Sequence, residues 1–200
     1  MQNRDYKIFK PDHYYHIFNR GNNKQDIFLD DQDYLNFLKR LKFTLGLSDQ
    51  KSGLRITPLP LNSFSIVAYC LMPNHFHFLI KQNAQVGIDR LVSRVCTSYG
   101  SYFNKKYNRV GHWLQDAFKA KVVDSDEYLL HLSAYIHNNP DNPFAYDYSS
   151  LPDILGKRAG QLCERSLLLN YVGNITEKYE SFVKNFTKEK EKTIQHLLLD

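Results

Sequence analysis

Two β-rich runs, Phe64–Leu71 and Phe76–Ile80, stand with only Met72-Pro73-Asn74 between them. Two such runs separated by a proline and an asparagine form a hairpin or a closely related tight connection, so part of this chain must be an antiparallel sheet. The flanking segments say what surrounds it. Tyr14–Phe18 is aromatic and β-branched and ends at Asn19-Arg20-Gly21-Asn22-Asn23, a strong turn signal, so it reads as a strand. Between Asp30 and Leu45, Tyr34, Leu38, Leu41 and Leu45 recur at offsets of four, three and four, the apolar stripe of an amphipathic helix.

The longest predicted helix runs from about Val86 to Tyr107. It buries Ile88, Leu91, Val95, Tyr99 and Tyr102 and turns Arg90, Arg94, Thr97, Ser101 and Lys105 to other faces. Phe118–Val123 alternates as a strand, and Ser125 caps a further helix to about Asn138, stopped by Pro140. The order β-α-β-β-α-β predicts an α+β, ferredoxin-like (RRM-like) fold: an antiparallel sheet of four to five strands with helices on one face and the other face free for a ligand. Asn138–Pro152 reads as a loop, and Ser166–Val172 and Tyr179–Phe186 as short helices before the charge-alternating Lys188–Lys192. Residues 1–150 are therefore expected to form the main domain and 151–200 a helical extension.

Charge separates the segments further. Between Arg90 and Lys121 seven Lys and Arg residues face Asp116 alone, a net +6 in a chain whose total is +5. A concentrated basic stretch in an otherwise near-neutral protein suits a polyanion such as nucleic acid, and equally a solvated helix face. Cys70, Cys96 and Cys163 are odd in number and far apart, which argues against a disulfide framework or a cysteine zinc site and fits a reducing cytoplasm. The opening Met1–Lys7 has no apolar signal core, and no long apolar run follows, so a cytoplasmic protein without membrane contact is expected.

Side chains alternate along a strand, so His75 and His77 share one face while Phe76 and Phe78 share the other. Two imidazoles so placed can chelate one divalent ion, or lie on a polar sheet face that binds nothing. On the last predicted helix Leu129, Leu132 and Ile136 make the buried stripe. Tyr135 stands beside it in a column with His131 four residues before and Asn139 four after. A tyrosine there is either an edge packer or a presented phenol, and Asn139 before Pro140 is also a common helix terminator. His131 and His137 read as surface residues.

Taken together, four ordered segments resemble the HUH single-tyrosine transposases, particularly the REP-associated tyrosine transposases of the insertion-sequence-200-like group. They are Tyr15-His16-Ile17-Phe18-Asn19-Arg20-Gly21-Asn22-Asn23, Met72-Pro73-Asn74-His75-Phe76-His77, Gly111-His112-Trp113 with Gln115, and Tyr135-Ile136-His137-Asn138-Asn139-Pro140. The resemblance covers roughly Tyr14 to Pro143. It implies that His75 and His77 bind the metal, Mg²⁺ or Mn²⁺, with Asn139 as third ligand, and that Tyr135 is the nucleophile. It also implies a single-stranded or hairpin DNA partner and cleavage through a 5′-phosphotyrosine, in a monomer or homodimer.

Candidate DNA-binding residues are Arg20, Arg94, Lys105, Lys106, Arg109, Trp113, Lys119 and Lys121, and the aromatics Tyr102, Phe103, Tyr107 and Trp113 are either stacking groups or, at least as readily, core residues. The chain departs from the family's usual Gly-His-Leu-Trp-Gln, carrying Trp113 and Leu114 in the opposite order. Ala117 stands where a basic residue usually precedes Phe118-Lys119. A non-catalytic nucleic-acid-binding module, a phosphodiesterase that uses water and a replication-initiator nickase are the competing functional readings.

Overall fold

In the computed structural model, which describes residues 9–48, 54 and 56–198, seven elements build the sheet and its first helices. They are β1 (His13–Arg20), α1 (Asp31–Thr44), β2 (Phe64–Met72), β3 (His75–Gln82), α2 (Ile88–Lys106), β4 (Lys119–Val123) and α3 (Asp126–His137). Four shorter helices follow: α4 (Leu151–Ile154), α5 (Arg165–Leu169), α6 (Thr176–Lys184) and α7 (Lys188–Thr193). The strand order is β2-β3-β1-β4 with every pairing antiparallel, so the fold is the α+β, ferredoxin-like one that the periodicities predict. The opening segment Met1–Lys7 lies outside the described residues.

Helix starts follow local chemistry. The Asp30 carboxylate accepts the backbone N–H of Asp33 at 3.1 Å, and the Ser125 hydroxyl accepts that of Tyr128 at 3.1 Å, each meeting a donor left open by the first turn. The strands divide their side chains between two cores. Tyr15, Ile17, Tyr69, Leu71, Phe76, Phe78 and Ile80 meet Tyr34, Phe37 and Leu41 of α1 and Leu91, Val95, Tyr99 and Phe103 of α2. On the opposite face Ala68, Cys70 and Leu79 meet Leu129, Leu132 and Ile136 of α3, and Leu151, Ile154, Leu168, Tyr179 and Val183 from α4 to α6.

The second face is therefore not left open. Helix α3 and the helices after it cover it over β2 and β3, because α3 carries an apolar stripe of its own that must leave water. Pro140 ends that helix, but the expected loop 138–152 gives way to α4 already at Leu151, where Leu151 and Ile154 are buried. Residues 151–198 share a continuous core with the sheet.

His137, expected at the surface, is completely buried at the end of α3. Its Nδ1 lies 2.7 Å from the Tyr179 hydroxyl and its Nε2 2.7 Å from the Ser150 hydroxyl, contacts that suit a neutral ring. Burial pushes its pKa from 6.5 down to about 3. Below pH 6.5 the unfolded chain gains a proton that the folded chain refuses, so this site's stability is intact above that pH and is lost as pH falls toward 3. The loss amounts to at most about 5 kcal/mol across the window, with His75 and His77, also held neutral by burial, adding in the same direction. Urea midpoints measured at pH 7.5 and 4.5 should differ strongly in the native chain and less in His137→Gln. Equal pH sensitivity in the two proteins would show that His137 is not the titrating group.

Candidate active site

The hairpin turn fixes where β3 begins on the second face. The Pro73 carbonyl accepts N–H groups from Ile27 at 2.7 Å and Phe28 at 3.0 Å, and the Asn74 carbonyl accepts that of Gly21 at 2.8 Å. The turn is thus clamped to the loop that follows β1. Gly21 has no room for a side chain there, since a Cβ would collide with the Gln25 carbonyl. From this fixed base His75 and His77 project toward α3, with Phe76 and Phe78 in the core behind them. The two imidazoles lie nearly perpendicular, their centroids 5.0 Å apart.

Helix α3 delivers two further groups to the same point. The Tyr135 ring stands edge-on to His77 with 5.7 Å between centroids. One turn later, just past the helix end, the Asn139 side-chain oxygen lies 2.9 Å from His75 Nε2. Asn138 fixes that helix end, its amide donating to the carbonyls of Ala134 at 3.0 Å and Val183 at 2.9 Å. The Asn139 side chain is also near enough to the Tyr135 phenol to favour its ionised form. The third member of the column, His131, turns away: its Nδ1 lies 3.0 Å from the Thr193 hydroxyl and its ring stacks on Phe182 at 5.6 Å.

Strand β1 completes the surroundings through its register, which sets Arg20 opposite His75 and Phe18 opposite His77. One pair further along, His16 Nε2 lies 2.9 Å from His77 Nδ1, and both rings are buried. Sequence reasoning missed His16. The signal was available: a lone imidazole in the aromatic run Tyr14–Phe18, on the same strand face as Phe18.

Burial holds His77 neutral, its pKa well below the ordinary histidine value, with the neighbouring His16, His75 and Arg20 acting in the same sense. His75 is lowered chiefly by burial as well, against the Asn139 hydrogen bond. Burial raises the Tyr135 phenol, while the neighbouring Asn139 and the charge of Arg20 pull the other way.

These groups suit a divalent cation. A neutral His75 has one N–H, yet both ring nitrogens face amide oxygens, Asn74 Oδ1 at 2.6 Å and Asn139 Oδ1 at 2.9 Å. A cation shared by Nε2 and the Asn139 oxygen would reconcile two lone pairs that otherwise oppose each other. The donor set is then two imidazoles and an amide oxygen. Among the described residues no cluster of three or more His, Cys, Asp or Glu side chains is placed to hold a metal.

The predicted basic residues fall into two groups. Lys119 and Lys121 sit on the edge strand opposite Phe18 and His16, exposed and on the histidine face. Helix α2, in contrast, packs on the other face of the sheet, so its cations do not border the histidines. Arg94 donates to the carbonyls of Thr57 at 2.5 Å and Pro58 at 3.2 Å and serves to tie down the connection before β2. Lys106 is neutralised by Asp30 at 2.7 Å and the buried Asp33 at 2.9 Å. Lys105 is exposed on that same remote helix. Arg109 reaches Gln25 Oε1 at 3.1 Å, near the loop after β1.

Trp113 is buried for most of its surface, with only its edge on the groove beside α2. Its ring is packed against Tyr99, with centroids 4.9 Å apart, so tightly that a Cβ on Gly100 would collide with the indole nitrogen. Phe103 is buried beside it, and Tyr102 and Tyr107 hydrogen-bond to Asp33 at 3.1 and 2.8 Å. The segment carrying Trp113 is tied to the end of β1 through Asn22 N–H to the Trp113 carbonyl at 3.0 Å and Gln115 N–H to the Arg20 carbonyl at 3.0 Å. Between this segment and α2 runs an open groove of about 750 Å³ lined by Asn22, Ser101, Asn104, His112 and Gln115. Among the described residues no helix is long and apolar enough to cross a membrane.

Residues 60–139 match the family model described as transposase IS200 like. Among solved structures, the fold is similar to that of a REP-associated tyrosine transposase bound to a REP hairpin. That match has a TM-score of 0.56 at 13% identity and covers 79% of this chain and 92% of the other. Two further structures overlap more loosely, each with a TM-score of 0.41. A Deinococcus radiodurans protein assigned as a transposase is 15% identical over 69% of this chain and 97% of its own. The tRNA(His) guanylyltransferase of Saccharomyces cerevisiae is 9% identical over 96% of this chain and 80% of its own. No curated protein matches the chain.

Proposed function

We propose that this chain, whose residues 60–139 match the IS200-like transposase model, is a metal-dependent endonuclease and strand-transferase for single-stranded DNA, with Tyr135 as nucleophile. The observation that carries this reading is the meeting, within one chain, of the Tyr135 ring with His77 at 5.7 Å and of Asn139 with His75 at 2.9 Å. His75, His77 and Asn139 would hold Mg²⁺ or Mn²⁺, which when bound supplies Lewis-acid polarisation of a phosphate oxygen.

The protein's own groups account for the rest. The contact of His77 Nδ1 with His16 fixes the orientation of the ring and leaves Nε2 for the site. Burial raises the phenol above its ordinary pKa, and the neighbouring Asn139 and Arg20 oppose that rise. The phenolic oxygen forms a bond to phosphorus, the P–O3′ bond breaks, and the phenolic proton ends on the released 3′ oxygen. The 5′ end then remains as a phosphotyrosine. Phenolate leaves more readily than a sugar alkoxide, so a second 3′ hydroxyl can reverse the step and join a new strand without an external energy source.

A duplex backbone would not admit both a helix-borne phenol and a chelated ion, so the substrate is unpaired at the cut. A flanking hairpin fits the neighbour solved with one. Lys119 and Lys121, exposed along the histidine face, supply phosphate contacts. The role that follows is mobilisation of DNA elements, carried out by a protein whose single copy already holds the nucleophile beside the metal ligands. The test is incubation with a 3′-labelled hairpin oligonucleotide and Mn²⁺. A denaturation-resistant adduct, absent with EDTA and mapped to the Tyr135 peptide, is expected. Cleavage without an adduct would make the protein a hydrolase, and binding without cleavage under any divalent metal would make it a binding module.

A further inference from the structure

We propose that Arg20 is a catalytic residue of this centre, whose guanidinium grips a non-bridging oxygen of the phosphate that Tyr135 attacks. The inference rests on the proposed reaction and adds to it the group that receives the anion. Arg20 is the last residue of β1 and stands directly opposite His75 in the sheet, with its side chain on the same face. Its backbone is held on both sides: its N–H donates to Asn19 Oδ1 at 2.8 Å, and its carbonyl accepts from Gln115 at 3.0 Å. Asn19 in turn donates to the Asp116 carbonyl at 3.0 Å. The strand end is thus built to place this side chain.

What the side chain meets is unusual for an arginine. Its Nε is wholly enclosed and has no hydrogen-bond partner, and no carboxylate among the described residues lies within ion-pair distance of its guanidinium. The other arginines of the predicted basic set have partners, Arg94 two backbone carbonyls and Arg109 the Gln25 amide oxygen. An enclosed N–H on a permanent cation is costly until an anion completes it, and the fork of Nε and Nη suits two oxygens of one phosphate. The charge also reaches His75, His77 and Tyr135, the groups among which the phosphate must sit.

In the transfer, the Tyr135 oxygen–phosphorus bond forms as the P–O3′ bond breaks, and negative charge stays on the non-bridging oxygens throughout. Arg20 gives up no proton. It acts by meeting that charge with donors already in place.

The test pairs protein variants with a substrate whose charge is removed. Adduct formation is timed for the native chain, Arg20→Ala and Arg20→Lys, on hairpin DNA carrying either a phosphodiester or a methylphosphonate at the cut. On the phosphodiester, Arg20→Ala should slow the step about 10²- to 10³-fold, with Arg20→Lys between it and the native chain. On the methylphosphonate, which has no charge to neutralise, the gap between native and Arg20→Ala should shrink to less than about tenfold. Equal losses on both substrates, or no loss on either, would overturn the assignment.

Equilibrium binding with the cut blocked by Tyr135→Phe separates this idea from the reaction itself. The Arg20-containing protein should prefer phosphodiester to methylphosphonate DNA, and the Arg20→Ala version should bind both alike. If the native chain forms no adduct yet shows that preference, the anion site stands and the strand-transfer reading falls. If the preference is missing, the anion site falls.

Discussion

With phenylalanine at position 135, the chain should fold, bind hairpin DNA and form no covalent adduct. The ring keeps its edge-on contact with His77 and its place in the core beneath α3, and only the hydroxyl is lost. The stability change should therefore stay near about 1 kcal/mol, while the rate of cleavage falls by at least about 10⁴-fold because nothing else replaces the nucleophile. Thermal melting and denaturing gels on one preparation separate the two effects. Other tyrosines are poorly placed to substitute. The Tyr146 hydroxyl donates to the Leu71 carbonyl at 2.5 Å, and Tyr128 packs edge-on against His196 with centroids 5.1 Å apart. A persisting adduct would direct the search to those two residues and dismantle the site as drawn.

His75→Ala should cost nearly as much, through the metal rather than through the fold. His75 is only partly buried, so its loss opens no large cavity, unlike removal of the completely enclosed His77, whose Nδ1 also meets His16. With one imidazole gone, the Mn²⁺ concentration for half-maximal cleavage should rise roughly 10²-fold or more, and the rate at ordinary metal levels should fall in proportion. Excess Mn²⁺ should recover part of the activity in His75→Ala and none in Tyr135→Phe. Full activity of His75→Ala in the presence of chelator would remove the metal from the proposal.

Much of this architecture was legible because local periodicity and global packing agree. The alternation in Phe64–Leu71 and Phe76–Ile80, the four-three-four stripe of α1 and the Ser125 cap all report which face of an element must leave water, and each element forms within a few residues of its expected bounds. The same alternation put His75 and His77 side by side, and helical spacing put Tyr135 with Asn139.

Other features depend on which layer an element joins, which no local pattern encodes. The cations of α2 look like a DNA surface until the helix is seen beneath the sheet, where Arg94 and Lys106 have partners far away in sequence. Trp113 reads equally as a stacking group or a core residue until Gly100 is found to make room for it. His137 and His131 share a helix with Tyr135, yet one is sealed against Tyr179 and the other faces Thr193, because both contacts come from the last helices, whose docking site the sequence did not reveal. The contact between His16 and His77 needs the strand register as well as the strands, and register is a property of the pair.

The phenol and both imidazoles come from a single polypeptide, and on the proposed mechanism that would set how many DNA ends a molecule manages. In the reaction proposed above, one tyrosyl oxygen would carry one severed 5′ terminus, so an exchange that keeps two termini captive at once would call for two molecules. A reaction that opens and reseals a single junction can be run by one.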